Sequence, residues 1–260
     1  MSLYIASLNS GSNGNCYYVG SQAEAVLIDA GISCRETENR MVKLGLSFEN
    51  VRAIFISHEH TDHTGGAEVL SRRYQLPVYL SASTYEHSKL NIEPELVRPL
   101  IPDEPVPIGD LRIKAFQKRH DAIDPHSFTV TGGGVTVGVL TDIGSVCKNV
   151  VRNFKECNAV FLEANYDETM LEEGRYPVFL KNRIKSDHGH LSNLQALELF
   201  TRHRHSHLSH LLLSHLSKDN NDPRRVLDLF KKYAGNTKIA IASRYEESPV
   251  YTVTPALTLF

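Results

Sequence analysis

The sequence predicts a mixed α/β protein built from two stacked sheets with helices outside. Short β-branched runs alternate with amphipathic stretches over the whole length, which is typical of interleaved strands and helices. Both halves begin with strands of antiparallel character and continue as strand–helix pairs, and this weak symmetry indicates two related sheets. No low-complexity linker interrupts the chain, so we treat residues 1–260 as a single domain.

The predicted elements follow from two periodicities. Short runs rich in Val, Ile and Leu between turn residues predict strands at residues 3–8, 16–19, 25–29, 53–57, 78–80, 111–118, 127–131, 135–140, 159–162, 210–214 and 238–242. Apolar residues at helical spacing predict helices at residues 35–44, 63–74, 145–154, 192–203 and 223–233.

Composition narrows the class of protein. With 41% hydrophobic and 22% charged residues, the chain is neither a disordered protein nor a coiled coil. The net charge of −2 means that any nucleic acid must be held by a local basic patch. The amino terminus has no signal-peptide character and no long apolar window occurs, so we expect no membrane segment and a cytoplasmic location.

The strongest functional signal follows the predicted strand at 53–57, where the chain reads His58-Glu-His60-Thr-Asp62-His63. Residues two apart at a strand end point the same way, so His58 and His60 can bind one ion. Asp62 and His63, at the start of the next helix, can then bind a second ion about 3.5–4 Å away. Asp62 could instead cap that helix, but three histidines around a carboxylate serve no packing purpose.

This HxHxDH pattern resembles that of the metallo-β-lactamase superfamily, whose fold is an αββα four-layer sandwich of two mixed β-sheets flanked by helices. The resemblance implies four further residues, each after a predicted strand. Asp29 would orient the histidine loop without binding metal. The other three, which would bind metal, are His120, Asp142 and His215. His126 competes with His120 for its role, and the segment from Asp142 to Gly144 also fits a plain turn.

By the same analogy His58, His60 and His120 bind one ion, whereas the other is bound by Asp62, His63 and His215, with Asp142 bridging the two. An imidazole-rich site with a bridging carboxylate favours Zn²⁺, with Mn²⁺ as the alternative. Two such ions lower the pKa of a bridging water from ~15.7 towards ~7, which gives a hydroxide nucleophile at neutral pH. We therefore expect two divalent metal ions and a hydrolytic reaction.

A second cluster, from Asp187 to Asn193, precedes the predicted helix at 192–203, for which Ser192 or Asn193 is a natural N-cap. The string Gly-His190-Leu-Ser-Asn resembles the tail of the ribonuclease Z branch of the superfamily, where a histidine faces the scissile phosphate. The resemblance implies that His190 protonates the leaving oxygen or stabilises its charge. Alternatively, His190 simply precedes the cap. The expected catalytic residues are therefore Asp29, Asp62 and His190.

Longer strings at residues 10–15, 162–167, 180–184 and 189–193 resemble the YycJ/WalJ family of bacterial metallo-hydrolases, which are implicated as 5′-to-3′ exonucleases on double-stranded DNA. The resemblance implies a nucleic acid partner, with double-stranded DNA expected. The glycine-rich loop offers backbone N–H groups to a phosphate, and a basic run supplies the local patch. The expected substrate-binding residues are Ser12, Asn13, Asn165, Lys181, Arg183, Lys185 and Asn193.

Other functions use the same residues differently. A lactone or thioester hydrolase would use the same metals but would not need His190 or the basic run. An endoribonuclease like ribonuclease Z is a second alternative. A binding protein on a decayed hydrolase scaffold is disfavoured because the set of candidate ligands is complete.

Overall fold

A computed structural model of the chain describes residues 2–255, and the bounds of its elements are as follows. The helices are α1 (Cys34–Lys43), α2 (Thr61–Thr64), α3 (Ala67–Tyr74), α4 (Ala82–His87), α5 (Lys148–Phe154), α6 (Glu168–Glu173), α7 (Val178–Lys185), α8 (Asn193–His203) and α9 (Pro223–Lys231). The strands are β1 (Leu3–Asn9), β2 (Cys16–Gly20), β3 (Ala25–Ile28), β4 (Val51–Phe55), β5 (Val78–Leu80), β6 (Val97–Pro99), β7 (Val106–Ile108), β8 (Leu111–Gln117), β9 (His126–Gly132), β10 (Val135–Leu140), β11 (Ala159–Glu163), β12 (His210–Ser214), β13 (Lys238–Ile241) and β14 (Tyr251–Val253).

The strands form two seven-stranded sheets with the same design. The first has the order β14-β1-β2-β3-β4-β5-β6 and the second the order β13-β12-β11-β10-β9-β8-β7. In the first sheet, pairing is antiparallel from β14 to β3 and parallel from β3 to β6. In the second, it is antiparallel from β7 to β10 and parallel from β10 to β13. The predicted symmetry between the two halves is therefore present.

Apolar side chains on opposite faces of the strands create the layers. In β3, Val26 and Ile28 point into the core between the sheets, whereas Leu27 points outward. The outer face of the first sheet packs against α1 and α3, and that of the second against α5, α8 and α9. Four layers result, and the predicted αββα sandwich is confirmed. No helix within residues 2–255 is both long and apolar enough to cross a lipid bilayer.

The largest difference from the predicted elements lies after the histidine loop. The single helix predicted at 63–74 is two helices, α2 and α3, separated at Gly65 and Gly66. The amide of Gly66 donates to the Ala30 carbonyl at 2.7 Å, and a Cβ at this position would lie 2.0 Å from the Ile32 carbonyl oxygen. Contact with the loop after β3 therefore interrupts the helix and fixes the direction of α2.

The elements missing from the sequence prediction are short. Strands β6, β7 and β14 have three residues each, and they are three of the four outer strands of the two sheets. The fourth outer strand, β13, was predicted. Three residues give too little alternation on their own. The equally short β5 is recognisable as the apolar run Val-Tyr-Leu, whereas β6 and β7 each contain a proline. Helix α7 was missed for another reason, because none of its residues is buried and it therefore has no apolar face towards the core.

The core between the sheets predicts the effect of one substitution. Phe128 is fully buried, and its ring lies 6.0 Å from that of Phe55 in the opposite sheet. Phe128→Ala should lower the free energy of unfolding by about 3–5 kcal/mol, measured by urea titration, because it opens a cavity in this core. Phe179→Ala is the matched control, since that ring is 74% exposed, and should change the value by less than about 0.5 kcal/mol. Equal effects would contradict the assigned layer.

Candidate metal centre

The histidine loop lies at the carboxyl end of β4, where the first sheet faces the second. His58, His60 and His120 bring one nitrogen each into a group whose donor atoms lie within 4.8 Å of one another. His58 Nε2 is 3.0 Å from His60 Nδ1. His120 reaches this group from beyond β8, so both sheets contribute to it.

A second group lies beside the first. The donor atoms of Asp62, His63 and His215 also lie within 4.8 Å of one another. Asp142 lies between the groups, with Oδ2 3.2 Å from His63 Nε2 and Oδ1 3.2 Å from His215 Nδ1. Its Oδ1 is also 3.9 Å from His120 Nε2. The seven side chains predicted as metal ligands are thus gathered at one edge of the sandwich.

Backbone conformation directs two of these side chains, and that of Asp29 as well. Asp29, Asp142 and His215 follow β3, β10 and β12, and their φ angles are 59°, 52° and 54°. This left-handed region is uncommon for residues other than glycine, although Asp and His tolerate it better than most. Such conformations cluster at functional sites, where the surrounding structure must maintain them. The turn at each strand end therefore directs a polar side chain towards the centre.

Asp29 is hydrogen-bonded to the histidine loop. Its Oδ1 accepts a hydrogen bond from the Ser57 amide at 2.8 Å, and its Oδ2 accepts one from the Ser57 hydroxyl at 3.0 Å. His63 Nδ1 donates to Asp29 Oδ2 at 2.7 Å. This bond directs Nε2 of His63 towards Asp142 and Asp62, the arrangement by which a carboxylate orients a ligating histidine.

Asn15, in the glycine-rich loop, holds Asp62 in place through hydrogen bonds. The amide of Asn15 donates to the Asp62 carbonyl at 2.7 Å, and its side-chain Nδ2 lies 3.2 Å from Asp62 Oδ2. Gly31 packs against the same carbonyl so closely that a Cβ would lie 1.7 Å from the oxygen. Only glycine fits there, and the loop thereby has a structural role in addition to the phosphate contact expected from its composition.

Burial keeps two of the candidate ligands neutral. Burial, reinforced by the neighbouring charges of His63 and Lys118, holds the pKa of His58 well below its ordinary value. Burial likewise lowers the pKa of His120 to about 4. Both imidazoles are therefore unprotonated at neutral pH, and a neutral imidazole has the lone pair that a metal ligand needs.

Neighbouring carboxylates favour the protonated form of two further imidazoles, His63 and His215. Burial opposes protonation of His63, but Asp29, Asp142 and Asp62 outweigh it and raise the pKa well above its ordinary value. For His215, Asp142 and Asp62 outweigh burial and raise the pKa to about 10. Conversely, burial opposes ionisation of Asp142, but His215 and His63 hold its pKa well below the usual range. The carboxylates thus stabilise cations at this position, and a metal ion can replace the protons.

Two unsatisfied atoms test whether the site fits a metal. Asp142 Oδ2 and His215 Nε2 are buried and form no hydrogen bond with residues 2–255, and the nearby His63 Nε2 is not aligned for one. Unpaired buried polar atoms are costly, and imidazole with carboxylate is a donor set that suits divalent transition metals. The residues present therefore fit divalent metal ions.

Glu163 is the important residue that the sequence interpretation missed, since it lies in the string at residues 162–167 but was given no role in the site. It is fully buried at the end of β11, and its Oε1 accepts from His190 Nδ1 at 2.7 Å and lies 3.2 Å from His215 Nδ1. Its Oε2 accepts from the amides of Ile143 and Leu191. Burial opposes ionisation, but His190 and His215 lower the pKa of Glu163 to about 2, so it is a carboxylate.

His190 is held at the edge of the centre with its side chain 22% exposed. Because Nδ1 is bonded to Glu163, Nε2 is the nitrogen left for a substrate. The ring lies 5.2 Å from that of His120 and 5.3 Å from that of His215, measured between centroids. The N-cap of α8 is Ser192, which forms a capping box with Gln195, so His190 is two residues outside the cap.

Other polar side chains near the centre have structural partners. His126 lies in β9 and belongs to none of the groups of possible metal ligands found within residues 2–255. The geometry therefore favours His120 over His126 as the metal ligand. Lys118, to which the sequence analysis assigned no role, is buried, and its Nζ donates to the Thr141 carbonyl at 2.6 Å. It thereby fixes the turn that carries Asp142.

Two of the residues expected to bind substrate are turned inward. Asn165 is 8% exposed and its Nδ2 donates to the His215 carbonyl at 2.8 Å. Asn193 is 3% exposed and exchanges side-chain hydrogen bonds with Asn221. These contacts favour a role in positioning His215 and the adjoining loop over direct contact with substrate.

The remaining expected contacts are at the surface. Ser12 and Asn13 are exposed, and Asn13 Nδ2 donates to the Arg244 carbonyl at 2.8 Å. On α7, Lys185 pairs with Glu172 at 3.0 Å, Lys181 donates to the Glu172 carbonyl, and Arg183 pairs with Asp121. A phosphate would have to compete with these acidic partners for the basic run.

Known proteins similar to this chain agree with the fold. Residues 24–216 match the model of the β-lactamase superfamily domain. The exodeoxyribonuclease YycJ of Bacillus anthracis is 36% identical over 224 residues, or 85% of each chain. The exodeoxyribonuclease WalJ of Streptococcus pneumoniae is 32% identical over 219 residues, which cover 82% of this chain and 81% of WalJ.

A solved structure extends the likeness of fold. The metallo-β-lactamase fold protein YhfI of Bacillus subtilis superposes with a TM-score of 0.72 at 19% identity, covering 97% of this chain and all of YhfI. With the buried His and Asp groups described above, these findings make the protein a metal-dependent hydrolase. The chain belongs to the β-lactamase superfamily and, within it, to the family that contains YycJ and WalJ.

Proposed function

We propose that this protein is a two-metal phosphodiesterase acting on nucleic acid, specifically a 5′-to-3′ exonuclease on double-stranded DNA. The observation that carries the proposal is the His190–Glu163 pair, which presents a proton donor 22% exposed beside the groups of His58 and of Asp62. His190 and Glu163 also form a group of possible metal ligands with Asp142 and His215, so the metal content of a His190 variant decides between the two roles. The names of YycJ and WalJ, both exodeoxyribonucleases, support DNA as the substrate. The four free cysteines, three of them buried, fit a reducing cytoplasm.

The proposed ligands follow the two groups. One ion would be held by His58, His60 and His120, the other by Asp62, His63 and His215, with Asp142 between them. Zn²⁺ suits this donor set best, and Mn²⁺ is the alternative. Divalent ions there would supply Lewis-acid stabilisation of phosphate charge and a water of lowered pKa as nucleophile.

The chain's own residues complete the reaction. Asp29 keeps His63 in the tautomer that directs Nε2 to the centre, and Asp62 is held in place by Asn15. His190 donates a proton from Nε2 to the leaving oxygen as the P–O bond breaks. Glu163, bonded to Nδ1, stabilises the protonated imidazole before transfer, as a buried carboxylate does for a catalytic histidine.

A substrate panel tests the class of reaction. Purified protein with Zn²⁺ or Mn²⁺ should degrade end-labelled duplex DNA and cleave bis(p-nitrophenyl) phosphate, leaving structured RNA, a lactone and a thioester largely intact. Label placed at the 5′ or the 3′ end reports the polarity. Turnover of the lactone or thioester with intact DNA would sink the proposal, and preferential cleavage of RNA would indicate an endoribonuclease like ribonuclease Z.

Metal content tests the ligand assignment. His60→Ala should weaken metal affinity by more than the ~10–100-fold typical of losing a residue that only supports a ligand, as measured by elemental analysis after dialysis. A chelator should also lower the melting temperature of the original protein, because metal binds the folded state. His87→Ala, an exposed histidine at the end of α4, is the control and should retain full metal content. Full metal content in His60→Ala would remove it from the ligand set.

His190 is predicted to donate a proton to the leaving oxygen and not to bind a metal ion. His190→Ala should keep the metal content of the original protein while kcat on duplex DNA falls by about 10²–10⁴-fold. A substrate with a leaving group that needs no proton, such as a p-nitrophenyl phosphodiester, should lose much less. If metal is lost together with activity, His190 is a ligand and the proposed proton transfer is wrong.

A further inference from the structure

A cavity of about 400 Å³ adjoins the metal centre and has no role in the reaction described above. It is lined by residues 216–218, which directly follow His215, and by residues 241–246, which follow β13. Because β12 and β13 are adjacent parallel strands, both segments leave the sheet at the same edge. Ligands of open α/β sheets bind outside this carboxyl edge.

The cavity wall is tied directly to the centre. The Ser10 amide donates to the Ser243 carbonyl at 3.1 Å, and the Ser10 hydroxyl accepts from the His215 amide at 2.8 Å. Asn13 bonds to the Arg244 carbonyl, as described above. The glycine-rich loop of the first sheet therefore connects the cavity to a candidate metal ligand of the second.

Two cations line the cavity, Lys218 and Arg244, against one carboxylate, Glu246. Neither cation forms an ion pair with any of residues 2–255. Arg244 Nη1 is buried without a hydrogen-bond acceptor, and Nη2 has only a long contact of 3.4 Å to the Ser12 hydroxyl. The Arg244 guanidinium lies 6.0 Å from the centroid of the Tyr245 ring. It has no anionic partner in the described part of the chain, so an anion in the cavity would supply the charged acceptor that Arg244 lacks.

The size and the rim of the cavity indicate what kind of anion. Its volume lies within the range of about 300–1,000 Å³ seen for small-molecule sites and exceeds the needs of a single phosphate. Tyr245, at the rim, has a 71% exposed ring. Exposed aromatic rings beside cations are typical platforms for a nucleic acid base.

We propose that this cavity binds the 5′-terminal phosphate of the strand being degraded, a phosphomonoester, through Arg244 and Lys218, with the terminal base against Tyr245. This inference rests on the proposed exonuclease function. The cavity would make the enzyme prefer phosphorylated ends and would set the distance from the strand end to the bond that is cut. A free mononucleotide carries the same phosphomonoester, so the test must separate a strand end from released product.

The first measurement compares duplexes that differ only in their ends. The protein, loaded with metal, should show a kcat/KM about tenfold higher on 5′-phosphorylated than on 5′-hydroxyl duplex DNA. Arg244→Gln should remove this preference by lowering kcat/KM on the phosphorylated duplex about tenfold while leaving the hydroxyl duplex nearly unchanged. Lys218→Gln, an exposed change that leaves the fold intact, should act in the same direction. Equal losses on both duplexes, or none, would overturn the inference.

The control is Arg112→Gln, because Arg112 is exposed at the start of β8, the end of that strand remote from His120. It should change neither rate.

The second measurement does not depend on nuclease activity. Thymidine 5′-monophosphate should bind the protein in calorimetry, and Arg244→Gln should weaken its Kd about tenfold, whereas thymidine should not bind detectably. If this holds while the original protein degrades no duplex, the phosphate site stands and the proposed function fails. If the nucleotide binds through Arg244 but duplexes show no end preference, the site holds released product and the strand-end assignment is wrong. Binding unaffected by Arg244→Gln overturns the site itself.

Discussion

Asp29, Asp142 and Glu163 are three carboxylates with at most 2% exposure, and each faces at least one imidazole. Burying an unpaired carboxylate costs several kcal/mol, so each depends on its partners. His63 contacts both Asp29 and Asp142, and His215 contacts both Asp142 and Glu163. These contacts form one continuous network of alternating carboxylates and imidazoles from the first sheet to the second. The positions of the ligands, the left-handed strand ends and the placement of His190 all serve to compensate this buried negative charge.

Features that depend on residues close together in the sequence were predicted, whereas features that depend on contacts between distant residues were not. The ligands in the histidine loop were found because His58, His60, Asp62 and His63 are close along the chain, and strand alternation gave both sheets. Glu163 was missed because its partners His190 and His215 are 27 and 52 residues away, and nothing local distinguishes it from a surface glutamate. The break between α2 and α3 likewise depends on a tertiary contact, between Gly66 and the loop after β3. The three-residue edge strands β6, β7 and β14 lacked the continuous apolar run that revealed the equally short β5.

The basic residues on α7 and those lining the cavity beside His215 differ in whether they already have anionic partners. Lys185 and Arg183 already pair with Glu172 and Asp121, so a phosphate gains little by replacing one anionic partner with another. Arg244 has no such partner, and its buried N–H is unsatisfied. Under the proposed function, α7 would be a surface where the strand passes with weak, exchangeable contacts, and the cavity would be the position where one anion is recognised. Such a division suits an enzyme that must hold a strand end and still advance along the duplex.

The pairing of β1 with β14 has a consequence for synthesis of the protein. Leu3 lies opposite Val253, and the Ser7 amide donates to the Ser248 hydroxyl, so β1 is completed by residues more than 240 positions later in the chain. Until those residues leave the ribosome, β1 has an open edge, and an unpaired edge strand invites association with other chains. The glycine-rich loop that follows β1 is also held by the Ser243 and Arg244 carbonyls. Metal ions that reach the nascent chain before β14 is made would therefore meet a partly assembled centre.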